Sequence, residues 1–196
     1  MNSEKFQAAK HLFDEANRQD PNQEIWEGTS FPKEVLYADR MTTTLQKFAP
    51  EASEAVQLAA RCQHICRWEI PRDSYEMNRT GYLIWRTELK KFHAKKASEI
   101  LASVDYDAAT IEKVAFLLQK KQLKRNEETQ LLEDVICLVF LEFYFEPFIA
   151  KHSEEKIIDI VQKTWAKMSE KGHDFALKLP YSETSLDLVK KALHAS

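Results

Sequence analysis

The sequence predicts an all-α fold, a single helical bundle over residues 1–196 built around one buried central helix at about 128–150. Three observations predict it. Glycine occurs only at Gly28, Gly81 and Gly172, among 44% hydrophobic and 30% charged residues. Such scarcity disfavours both tight β-turns and glycine-rich phosphate loops. Apolar residues recur at helical spacing through most of the chain. The stretch VICLVFLEFYF, from Val135 to Phe145, lacks a polar face, the mark of a helix enclosed by others. A chain of 196 residues also suits one domain, since it buries about 70% of its unfolded surface.

The elements follow in order. Phe6, Ala9, Phe13 and Ala16 mark a first helix after a Ser3 cap, broken by Asp20-Pro21-Asn22. Ser30-Phe31-Pro32 opens a second helix with Val35, Leu36, Met41, Leu45 and Phe48. Pro50 opens a third, carrying Ala55, Leu58, Ala59, Cys62 and Ile65 and ending near Trp68. Residues 69–81 lack periodicity and read as a long loop. A fourth helix runs from about Tyr82 to Val104, and Asp107 caps a fifth with Ile111, Val114 and Leu118. The sixth covers Glu128 to Ala150. Ser153 caps a seventh that ends at Gly172, and a last helix spans about Thr184 to Ala195.

Charge and composition narrow the function classes. With 28 basic and 31 acidic side chains the formal net charge is −3, so no overall pull toward nucleic acid or anionic lipid is expected. The first twenty residues lack the apolar core of a signal peptide, and the longest apolar run, Val135 to Leu141, is far short of the ~20 residues that span a bilayer. Three cysteines, Cys62, Cys66 and Cys137, each lie in an apolar helical stretch, which suits reduced core thiols and a cytoplasmic setting.

The residues that can carry chemistry are charged groups placed where burial is expected. Glu133 and Asp134 interrupt the central helix, and a buried carboxylate demands a partner. His93 shares a face with Leu89, Ala97 and Ile100, with Arg86 two turns earlier. Lys121 extends the row of Ile111, Val114 and Leu118. His64 and Arg67 sit one helical turn apart, with Arg72 just beyond. Cys62, His64 and Cys66 do not form a metal clip, because helix positions two apart face away from each other. Lys167-Met168-Ser169-Glu170-Lys171 echoes the KMSKS loop of class I aminoacyl-tRNA synthetases without the parallel sheet that loop serves.

The segments Asp20-Pro21-Asn22, Gln63-His64-Ile65-Cys66-Arg67-Trp68, Ile70-Pro71-Arg72, Gly81-Tyr82-Leu83-Ile84-Trp85-Arg86, Phe92-His93-Ala94 and Leu132-Glu133-Asp134-Val135 resemble, over nearly the whole chain, a domain-of-unknown-function family of bacteria and fungi. Some fungal members carry a glutamyl-tRNA synthetase label that these residues do not support. More distantly, the order His64, His93, Lys120-Lys121, Leu132-Glu133-Asp134 is similar to a degenerate HD-domain metal phosphohydrolase. That resemblance implies one divalent ion (Mn, Fe, Co, Ni or Zn) on His64, His93 and Asp134, although no His-Asp doublet is present. Glu133 joins these three as a candidate catalytic group, and Arg67, Arg72, Arg86 and Lys121 would hold a phosphate. Two functions follow: a hydrolase for a small phosphorylated, nucleotide-like compound, or a metal-free binding or adaptor module for an anionic ligand. A scaffold with a structural polar cluster is the third.

Overall fold

In the computed structural model, which describes residues 4–194, the chain forms ten α-helices and one small hairpin, and it divides into two compact units, Met1–Lys121 and Gln122–Ser196. The Ser3 cap and the Ala195 helix end lie outside the described residues. The predicted all-α class holds, and among the described residues no helix is long and apolar enough to cross a membrane.

The first unit begins with α1 (Glu4–Asn17), which buries Phe6, Ala9 and Phe13. Where the sequence predicts a direct passage into the second helix, a hairpin intervenes, with β1 (Gln23–Trp26) antiparallel to β2 (Thr29–Pro32). Glycine scarcity concealed it. Its two-residue loop needs positive φ twice, and Glu27 (φ 49°) takes one of those positions beside Gly28 (φ 78°). Arg40 holds the hairpin to the next helix, pairing with Glu24 at 2.5 Å and covering the Trp26 ring at 4.7 Å.

Helices α2 (Lys33–Phe48) and α3 (Glu54–Arg61) pack on α1 through Met41, Leu45, Val56 and Leu58, all almost fully buried. Ser53 rather than Pro50 starts α3, accepting a hydrogen bond from the Val56 amide. The last residue of α3, Arg61, bridges Asp14 of α1 and Asp39 of α2, each at 2.5 Å. The helix predicted to reach Trp68 therefore stops seven residues early. Residues 62–66 form turns, and Cys66 adopts a left-handed φ of 50°.

Two short 3-10 turns, Arg67–Glu69 and Arg72–Ser74, shorten the predicted loop, and α4 (Arg79–Ser103) starts at its Asn78 cap. Gly81 is required there, since a Cβ would lie 2.1 Å from the Glu76 carbonyl oxygen. Helix α5 (Ala108–Leu118) packs along α4 and begins at the predicted Asp107 cap.

In the second unit, α6 (Glu127–Val139) continues through a π-helical segment, Phe140–Tyr144, into α7 (Phe145–Ile149). No residue from Glu128 to Phe145 is exposed, as the missing polar face predicts. The wider turn restarts the helix at Phe145, so Pro147 falls in a first turn that needs no amide proton from it. Helices α8 (Glu154–Trp165) and α10 (Glu183–His194) enclose Phe145, Ile157, Val161, Leu188 and Val189. Gly172 does not end the seventh predicted helix; it lies inside a separate α9 (Glu170–Ala176) that starts at its Ser169 cap.

Candidate functional site

The candidate site lies in the first unit, and its frame is set by polar residues at the end of α1. Asn17 is 1% exposed; its Oδ1 accepts from the Cys66 amide at 3.0 Å and its Nδ2 donates to the Glu34 carbonyl at 3.5 Å. Asp20 accepts from the Asn22 amide at 2.9 Å and from the Glu34 amide at 3.1 Å. These bonds fix the first turn of α2 beside the 62–66 turn, which brings Glu34 next to His64.

His64 stacks on Tyr37, with ring centroids 3.9 Å apart and 11° between planes. Arg67 Nη1 donates to His64 Nε2 at 2.8 Å, and His64 Nδ1 lies 3.3 Å from Glu34 Oε2. A guanidinium has no acceptor, so the imidazole proton sits on Nδ1 and points to Glu34. Burial first, then the charges of Arg67, Lys120, Arg86 and Lys33, hold the His64 pKa well below the ordinary histidine range. Burial raises the Glu34 pKa above the usual carboxylate range, opposed by Arg67, Lys33 and His93.

His93 is 4% exposed, and its ring lies 6.0 Å from that of His64. Its Nδ1 donates to the Ile65 carbonyl at 2.8 Å, which leaves a lone pair on Nε2. That atom is buried and has no hydrogen-bond partner among the described residues. Burial, reinforced by His64, lowers the His93 pKa to about 3. Both rings are therefore neutral at ordinary pH.

The surrounding cations differ in what already holds them. Arg72 donates to the carbonyls of Tyr75, Glu76 and Asn78 and so clamps the loop before α4. Arg67 packs over the Trp85 ring at 5.1 Å, and Arg86 donates to the Tyr82 hydroxyl at 3.1 Å. Neither Arg67 nor Arg86 is ion-paired with a carboxylate among the described residues, whereas the buried Arg40 and Arg61 both are. Lys121 is exposed; its neighbour Lys120, with Lys33, is a lysine whose charge acts on His64. The helical row that pointed to Lys121 ends at Leu118. Lys120 then takes a left-handed φ of 55°, its amide donating to the Leu117 carbonyl and that of Lys121 to Phe116, a Schellman turn.

Asp134 and Glu133 are buried on α6 in the second unit. Asp134 Oδ1 accepts from the Ser169 amide at 2.8 Å and from Gln130 Nε2 at 3.0 Å, and Oδ2 accepts from Ser169 Oγ at 2.6 Å. This carboxylate thus secures the start of α9, and a Cβ on Gly172 would come within 2.9 Å of it. The donors do not fit a resident divalent ion as arranged: both Asp134 oxygens and His64 Nε2 already accept hydrogen bonds. Among the described residues no three His, Cys, Asp or Glu side chains are grouped to hold a metal.

Sequence reasoning misses Glu34, Tyr37 and Asn17, and it gives the phosphate role to Lys121 where its neighbour Lys120 acts on His64. Glu34 looks like an ordinary acid in a helix first turn, and Asn17 like the fraying end of a helix. No signal in one sequence separates them from those roles. No curated protein and no solved structure matches the chain. A family model described as a domain of unknown function (DUF4202) matches residues 7–189, nearly the full length, and the chain belongs to that family.

Proposed function

We propose that the first unit binds a small phosphorylated ligand without a resident metal, through Arg67 and Arg86 with Lys120 and Lys33 at longer range. The observation that carries this reading is the pair of arginines, both acting on one neutral histidine and neither within ion-pair distance of a carboxylate among the described residues. Partly buried guanidiniums normally have an acidic partner, and a fork of free donors suits a phosphate. Glu34, the carboxylate that pairs with His64 Nδ1, is turned toward that imidazole proton. Tyr37 and Trp85 hold His64 and Arg67 by stacking, so little side-chain freedom is lost on binding.

A hydrolase reading would use the same cationic groups but also needs an activated water, and among the described residues no group of three His, Cys, Asp or Glu side chains is placed to hold a metal that would supply one. The test is thermal unfolding in increasing phosphate at constant ionic strength. Specific binding raises the midpoint progressively, and substitution of Arg67 by Ala removes most of the rise. A midpoint that stays flat as phosphate rises, or that rises equally in both proteins, overturns the reading.

A further inference from the structure

We propose that the phosphorylated ligand binds as a protonated monoanion, its P–OH donating to Nε2 of His93, so that the site discriminates phosphate monoesters from sulfate esters of the same size and charge. This rests on the anion-binding reading above. The argument starts from the tautomer. Because the Ile65 carbonyl can only accept, His93 must present a proton on Nδ1 and a lone pair on Nε2. An acceptor buried without a donor is destabilising by about 1–3 kcal/mol, and a donor arriving with the ligand relieves that penalty.

The imidazole does not provide the missing proton itself. Burial and the nearby His64 and Arg67 oppose protonation of His93, Glu34 acting the other way. The other groups facing this region are His64, whose proton points to Glu34, and the fixed cations Arg67, Arg86, Lys33 and Lys120. A fully deprotonated oxyanion would gain from those cations but would bring its own lone pairs against Nε2. A phosphate monoester, with a second pKa of about 6, carries one P–OH below that pH. It therefore satisfies cations and acceptor together. A sulfate monoester carries the same single charge and no proton.

Methyl phosphate and methyl sulfate make the comparison, titrated by calorimetry at pH 5.5 after circular dichroism confirms the fold. Methyl phosphate should bind at least about tenfold tighter, the effect of one well-made hydrogen bond to a buried acceptor. Raising the pH to 8 should erode that advantage. His93→Phe, which removes the acceptor, should bring the two affinities together, while His93→Gln, which keeps an acceptor oxygen, should retain part of the preference. Equal binding of the two anions by the unsubstituted protein would overturn the protonated-ligand proposal and leave anion binding standing. Binding of neither would overturn both.

Discussion

Replacing Lys120 with glycine should make the protein more stable and a poorer anion binder at once. Lys120 occupies the left-handed position of the Schellman turn after α5, at φ 55°. A side chain there is disfavoured by about 1–2 kcal/mol, which glycine avoids. Glycine also gives the unfolded chain extra freedom, which offsets about 0.4–1 kcal/mol of that gain. The net expectation is a stabilisation of roughly 0.5–1 kcal/mol, or a midpoint rise of about 1–4 °C for a chain of this size. The ammonium whose charge acts on His64 is lost with the side chain. Phosphate affinity should then fall several-fold, as expected for the loss of a cation that acts at longer range rather than through a direct hydrogen bond. Urea titration reads the first effect and calorimetry the second. A Lys120→Gly protein that is less stable and binds phosphate unchanged would refute both the strain argument and the placement of Lys120 at the site.

Acidification should destabilise the fold before its ordinary carboxylates titrate. His93 is held at about 3 against an unfolded value near 6.5, so the unfolded state binds the extra proton in that window and stability falls as pH drops through it, by about 1.4 kcal/mol per unit. Glu34, with a raised pKa, opposes this slope just above pH 4.5; a flat stability profile from pH 7 to 5 would contradict the buried neutral histidines. Leu138→Ala should lower stability by about 2–5 kcal/mol and Lys190→Ala by less than about 0.5, as read in denaturant, because the first side chain is fully buried and the second exposed. Gly172→Ala should destabilise the protein in the same titration, since its methyl meets the Asp134 carboxylate; neutrality would show that α9 moves freely.

The helices were legible because their signals are local. Asp107 and the apolar rows from Phe6 to Phe13 and from Val135 to Phe145 announce themselves within a few residues. The left-handed positions were not, since Glu27, Cys66 and Lys120 adopt a conformation usually marked by glycine. That is why the sequence pattern hides the hairpin, runs the third helix past Arg61 and points to Lys121 rather than Lys120. His64, His93, Arg67 and Arg86 were readable as charge and imidazole on expected core faces, and the structure places all four in the first unit. Their partners were not readable: Glu34 reaches His64 only because Asn17 and Asp20 fasten distant segments together. Asp134 illustrates the same limit, a buried carboxylate whose donor, Ser169, lies 35 residues further along the chain.

The central claim, a phosphate site built on arginines that no carboxylate ion-pairs among the described residues, is tested most directly by calorimetric titration of inorganic phosphate into the intact protein and into Arg67→Ala and Arg86→Ala at low ionic strength. Saturable one-to-one binding should appear in the intact protein and weaken about tenfold or more in each variant, both of which should stay folded. Absence of saturable binding to the folded intact protein, or equal binding by all three, would contradict the account.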